Sequence, residues 1–410
     1  MPTCSSLRVL LTAALSITLA TAHAATCNWK GGSGSWRDAA KWSCAVVPTA
    51  TDDVTITNLN SGTITVDSAA PALTLSVNSY GTISGTGALN VSGLASFSAL
   101  SATSITTNGS RLPILTMARA PGVTLTFTDP ALTADSLATF TSTKPAGGNG
   151  AVLMNVGARN YGTINLTNGY LRIDAPITVT TALNWAGGSL NSLGNNHAIT
   201  IANTATLAIS NGSTVNNALY TPLINNGTAT WSGNQPILGN NSAEWTNNGS
   251  FTVQVASALT ALDNGPVIGQ SATKPFTNYS TLRFNHTGTV QFEWVPGVLN
   301  HGLVEANSGN VLFRWGSFEQ YAGEMRLNGG TLAGNPKCCS LDNQQIYLRG
   351  GTLSGSGTIV SSITHPATRR APGIVSTSSP ARATPSDARS AAAATCRPPS
   401  RRLLVKIRCL

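Results

Sequence analysis

Asn225-Asn226-Gly227-Thr228-Ala229-Thr230-Trp231 returns 22 residues later as Asn247-Asn248-Gly249-Ser250-Phe251-Thr252-Val253. Each copy is a corner followed by a strand. Asn and Gly accept the left-handed backbone of a tight turn. The Thr-x-Thr and Phe-x-Val alternation that follows puts one face in and one face out. The same spacing recurs from Ser280, in Asn278-Tyr279-Ser280-Thr281-Leu282, to Gly302, and a spacing of 21 leads on to Gly323. Earlier and later copies are Asn160-Tyr161-Gly162-Thr163-Ile164, Gly329-Gly330-Thr331-Leu332 and Gly350-Gly351-Thr352-Leu353. A period in the low twenties is one coil of a parallel β-solenoid, three short strands and three turns. The expected fold is therefore all-β: a single-stranded, right-handed parallel β-helix with coils of about 22 residues. Stacked Asn side chains are expected to bond from coil to coil along its axis.

Composition agrees with this reading. Only 10% of the 410 residues are charged and 6% aromatic, with 40 glycines. A typical soluble domain is about 25% charged. The polar residues are mainly Ser, Thr, Asn and Gly, which are poor helix formers. A solenoid needs only a few Val, Ile, Leu or Ala per coil, because backbone ladders satisfy its polar groups. A set of β-sandwich domains would need larger apolar residues and would not hold a 22-residue register.

The formal net charge of +9 suggests a polyanionic partner until it is located. Nine bases, from Arg369 to Arg408, lie after residue 364 against one acid, Asp387. Residues 25–364 carry equal numbers of acids and bases, so the body has no basic stripe for nucleic acid. Residues 364–410 read as a basic tail, disordered or frameshifted. At the other end, Arg8 precedes an apolar run and Ala22-His23-Ala24 is a small-residue cleavage signal. Residues 1–24 read as a cleaved secretory signal. No transmembrane segment is expected in the mature chain, since a span needs about 20 apolar residues.

Export places the remaining cysteines in an oxidising space. Cys27 and Cys44 are read as a structural disulfide closing a short loop, worth roughly 3 kcal/mol; no ligand set completes a metal site there. Trp29, Trp36 and Trp42 fall inside the same segment. Bulky aromatics held by a disulfide suit an end cap, since the first coil of a solenoid otherwise exposes its core. The domain reading is a signal at 1–24, a cap module at 25–57, a solenoid at 58–363 and the tail at 364–410. Cys338 and Cys339 are adjacent and their pairing stays open.

The order Trp29, Gly31-Gly32, Gly34-Ser35-Trp36, Trp42-Ser43, Pro48, Asp52-Asp53-Val54-Thr55-Ile56 resembles the opening of secreted bacterial β-helix repeat proteins of the autotransporter-passenger and adhesin type. Gly350-Gly351-Thr352-Leu353-Ser354-Gly355-Ser356-Gly357-Thr358-Ile359 resembles their passenger-associated β-strand repeat, and Leu183-Asn184-Trp185-Ala186-Gly187-Gly188-Ser189-Leu190 is a looser copy. The resemblance implies an exported, non-enzymatic protein, secreted or at the bacterial cell surface. Its expected partners are glycans, extracellular matrix or neighbouring cells, met by low-affinity multivalent contact. It carries over no catalytic residue, metal or cofactor.

The chemistry-bearing residues are sparse. His197, His286, His301 and His365 show no metal-ligand spacing, and no nucleophile elbow or phosphate loop is present. Asp52 and Asp53 read as a turn entering a strand. The competing function is a polysaccharide lyase or hydrolase, which needs clustered carboxylates. Glu293 and Glu319 are 26 apart and Glu305 and Glu324 are 19 apart, a poor fit to the coil period. A third reading is a truncated passenger fragment without activity. Trp231, Trp245, Trp294 and Trp315 are candidates for stacking on sugars if exposed. Trp294 and Trp315, 21 apart, would then form the ligand-stacking pair.

Overall fold

The computed structural model describes residues 24–99, 101, 103–119, 123–131, 139–143, 152–155, 159–167, 170–192, 197–210, 217–234, 236–239, 242–255, 267–268, 274–294, 297–313, 316–334, 346–360, 363–364 and 404–406. Strands alternate with corners along the chain, and each strand pairs in parallel with its counterpart in the next coil. The described residues contain one helical turn, the 3-10 segment Ala39–Lys41. The chain is a β-solenoid with three walls.

The first wall begins with Cys27 opposite Val54, then Leu75 and Ala95. It ends with Val304 opposite Met325 and then Leu353. The second wall stacks Ile64, Ile83, Ile105 and Phe127. The third stacks Ile199, Leu223, Trp245, Phe276, Val298, Phe318 and Ile346. All of these residues except Leu353 are buried. The cause is the period-2 alternation read in the sequence: Ser250–Val253 and Glu324–Leu327 both alternate half-exposed and buried positions. Each large inward side chain contributes roughly 1.5–3 kcal/mol by leaving water.

The corners explain the Gly residues. A Cβ on Gly302 would sit 2.1 Å from the Ser280 carbonyl oxygen and 2.7 Å from its backbone nitrogen. The coils approach too closely there for any side chain. The strands Thr281–Phe292 and Leu303–Phe313 run around a corner without a break, and their pairing shifts register around Asn285.

The N-terminal segment is both a cap and the first coil. Thr26–Asn28 pairs with Asp53–Ile56, and Gly34–Ser35 pairs with Thr63–Thr65. The disulfide Cys27–Cys44 is formed, with Cα atoms 5.1 Å apart. Trp42 lies edge-on between Trp29 and Trp36, 4.9 Å from each, and all three are buried. Its indole nitrogen donates to the Trp36 carbonyl at 2.7 Å. Asp52 accepts from the backbone nitrogens of Ala25 and Thr49, as a turn carboxylate does. At the far end, Leu404–Lys406 pairs antiparallel with Thr358–Val360. Cys338, Cys339, the signal up to His23 and the rest of the tail beyond Thr364 lie outside the described residues.

Candidate binding surface

The tryptophans among the described residues face inward. Trp294 is 1% exposed, packs edge-on against Phe276 at 5.9 Å and donates its indole N–H to the Lys274 carbonyl. It offers no ring face to a sugar, which corrects the stacking role expected for it. Trp231 and Trp245 are equally buried, and Trp245 stacks on Phe251 at 4.9 Å. Trp315 lies outside the described residues.

The third wall ends at a corner built from two columns of planar side chains. The inner column is Asn225, Asn247, Asn278, Asn300 and Gln320, all fully buried. The amide nitrogen of each of the four asparagines donates to the amide oxygen of the next coil, at 2.8, 2.7, 2.6 and 2.6 Å in order. This is the coil-to-coil bonding expected of stacked Asn. The sequence joins two 22-residue steps; the structure joins them to each other through Asn247 and Asn278, 31 residues apart.

The outer column is formed by the residue that follows each inner amide. Asn248 donates to Asn226 at 2.9 Å. Next comes Tyr279, stacked on His301 at 5.0 Å, and His301 stacked on Tyr321 at 5.2 Å. The Arg349 guanidinium follows, 5.7 Å from the Tyr321 ring and 5.0 Å from the Tyr347 ring. Tyr279 is 55% exposed and Tyr321 42%. Gly302 permits the close approach of the coils beside these rings. Because the faces cover one another, the column presents ring edges and polar tips to solvent.

Glutamates and arginines neutralise one another beside this column. Glu319 accepts from Arg349 at 2.6 Å, from the Tyr321 hydroxyl at 2.7 Å and from Ser317 at 3.2 Å. Burial pushes the Glu319 carboxyl up, but these hydrogen bonds and the Arg349 charge outweigh it and hold it below the usual range. The bond to Glu319 raises the Tyr321 phenol in turn. On the adjoining first wall, Glu305 accepts from Arg283 at 2.6 Å and from Arg326 at 3.1 Å, while Glu324 accepts from Arg326 at 2.6 Å. Hydrogen bonds from Arg326 and Ser354 hold Glu324 below the usual range. So Glu305 and Glu324 do meet, through the arginine between them. The far edge of this wall carries a third column, exposed Asn285 and Asn328 with half-buried Asn307 between them, bonded at 2.7 and 2.8 Å.

Sequence reasoning assigns no binding role to Tyr279, His301, Tyr321 or Arg349. The signal available was positional: each directly follows the inner-column position, at Asn278, Asn300, Gln320 and Leu348. Elsewhere, His286 is buried, and burial pushes it down to about 4 against a smaller upward pull from the Gly288 backbone. Among the described residues no group of three or more His, Cys, Asp or Glu gathers to hold a metal. No described helix is long and apolar enough to cross a membrane.

These features define a β-solenoid repeat protein with an ordered polar and aromatic corner. Comparison with protein-family models, with curated proteins and with solved structures gave no match.

Proposed function

We propose that the chain is exported by residues 1–24 and acts, secreted or at a bacterial cell surface, as a non-enzymatic adhesin-like protein. It makes multivalent, individually weak contacts with glycans, matrix or neighbouring cells. The observation that carries this reading is the outer column, in which coil after coil offers a similar group at a fixed interval. Repetition converts weak contacts into avidity, because each contact after the first is intramolecular. The reading is also supported by the charge pairing: Glu319 and Glu324 are each engaged by an arginine and held below the usual carboxylate range, whereas a general acid needs a raised pKa.

The test uses the mature chain with its disulfide formed. Binding to immobilised glycans, matrix and whole cells is measured alongside release of reducing ends and unsaturated products. Binding without turnover, weakened by Tyr279→Ala with Tyr321→Ala, is the expected result. Turnover that disappears in Glu305→Gln would replace this reading with a polysaccharide lyase or hydrolase. For export, the secreted product should begin at Ala25.

A further inference from the structure

Resting on the adhesin reading, the wall between the Tyr279 corner and the Asn285 corner narrows the class of ligand. Its outward chemistry falls into columns along the axis. At one edge stand Tyr279, His301 and Tyr321; at the other, Asn285, Asn307 and Asn328. Between them run Arg283, Glu305 and Arg326, paired in register from coil to coil.

Two properties of this surface point to one partner. The first is neutrality. Arg283 and Arg326 are held by Glu305 and Glu324, and Arg349 by Glu319. A polyanion would have to break these pairs to be held, and so would a polycation. The second is repetition. The same kind of planar, hydrogen-bonding group recurs once per coil, at the roughly 4.8 Å spacing of stacked strands. A globular protein has no such repeat to meet it. A linear polymer of pyranose sugars does, because one residue of an extended β-linked chain is about as long as one coil is tall. Its ring hydroxyls are suited to phenol, imidazole and amide edges, which are what the outer columns leave exposed.

We infer that this wall binds an uncharged linear polysaccharide lying parallel to the solenoid axis, one sugar residue per coil, along the Tyr279–His301–Tyr321 column. The column orders the polymer through ring edges and polar tips, and the paired charges beside it exclude uronate and sulfated chains.

The experiment titrates the full mature chain with neutral β-1,4-linked gluco- and manno-oligosaccharides of about two to six residues, and with polygalacturonate and heparin. Affinity should rise several-fold per added sugar until about three coils are spanned. It should change less than about two-fold across a ten-fold increase in salt, since no net charge is neutralised. Tyr279→Ala and Tyr321→Ala should each lower it several-fold. Both side chains are exposed, and an unchanged circular dichroism spectrum confirms the fold; Tyr321→Phe tests the hydroxyl without removing the ring. Preferential, salt-sensitive binding of polygalacturonate or heparin overturns the inference and leaves the adhesin reading standing. So does capture of matrix protein or cells with no response to any neutral oligosaccharide. Binding of a neutral polysaccharide without a chain-length effect also overturns the axial arrangement. Failure to bind any glycan, matrix or cell removes both readings.

Discussion

Replacing Asn278 should cost far more than replacing Asn328, although both make amide-to-amide bonds of nearly equal length. Asn278 is fully buried; its nitrogen reaches Asn300 Oδ1 at 2.6 Å, the Ser280 carbonyl at 3.1 Å and the Leu303 carbonyl at 3.2 Å. Its oxygen accepts from Asn247 at 2.7 Å. Asn278→Ala removes two buried amide bonds, each worth about 1 kcal/mol net, and leaves a void. The partners are not wholly orphaned: Asn247 keeps the Thr281 carbonyl at 2.9 Å and Asn300 keeps the Gly302 N–H at 3.3 Å. The expected loss is therefore about 3 kcal/mol. Asn278→Asp should be worse at neutral pH, since a carboxylate would face three acceptor oxygens. Burial would raise the pKa of that new carboxyl, so the folded variant would hold its proton to higher pH than the unfolded chain. The Asp variant should thus regain stability as pH falls through its folded-state pKa. Asn328 is exposed and donates to Asn307 at 2.8 Å, where water can substitute. Asn328→Ala should cost no more than about 0.5 kcal/mol. Stacked coils need not unfold as one unit, so urea melts should be paired with hydrogen exchange. The amides of His301 and Tyr279, bonded to the carbonyls of Asn278 and Asn247, report the site directly. Equal small losses for Asn278→Ala and Asn328→Ala would refute the claim that the inner column holds the corner.

Three further outcomes follow from the same structure. Gly302→Ala should destabilise by about 1–3 kcal/mol, because its Cβ would meet the Ser280 backbone rather than a side chain that could move; thermal melts would measure this. Cys44→Ser should lose roughly 3 kcal/mol, since the disulfide closes a loop of separation 17; a red shift of tryptophan fluorescence should show Trp29, Trp36 and Trp42 meeting water. His286 takes its proton near 6.5 when unfolded but only near 4 when folded. The folded state binds fewer protons across that window, so stability should fall by about 3 kcal/mol as pH drops from about 6.5 to about 4. His286→Leu should flatten that part of the stability–pH curve.

The period was legible because corners repeat chemically: Asn-Asn-Gly at 225–227 returns at 247–249, and Asn-His-Gly at 300–302 keeps the same frame. Its continuity was harder to read. Between Asn247 and Asn278 one coil is nine residues longer than the 22-residue step before it, so spacing alone breaks there while the amide bond does not. Facing was legible but misjudged for Trp294. Val290, Phe292 and Trp294 alternate in one phase, and Val290 and Phe292 are core residues. A 21-residue spacing says that two residues share a column; only phase within the strand says which side of the wall that column occupies. The outer column was the least legible feature. Tyr, His, Tyr and Arg share no chemical identity, and planarity unites them only once the backbone has stacked them.

Inner and outer columns occupy consecutive residues, 278 and 279, 300 and 301, 320 and 321. Neither can shift along the axis without the other. A ligand that lies across Tyr279, His301 and Tyr321 therefore depends on amides it never touches, because they fix the ring spacing before it arrives. Preorganisation of this kind lowers the ordering cost of binding. Asn278→Ala should accordingly weaken ligand binding at a temperature where the protein stays folded, whereas Asn328→Ala, on the opposite edge, should preserve the 5.0 and 5.2 Å ring stack. If binding is unchanged in Asn278→Ala while exchange at His301 accelerates, the two columns are mechanically separate and the rings hold their spacing by stacking alone.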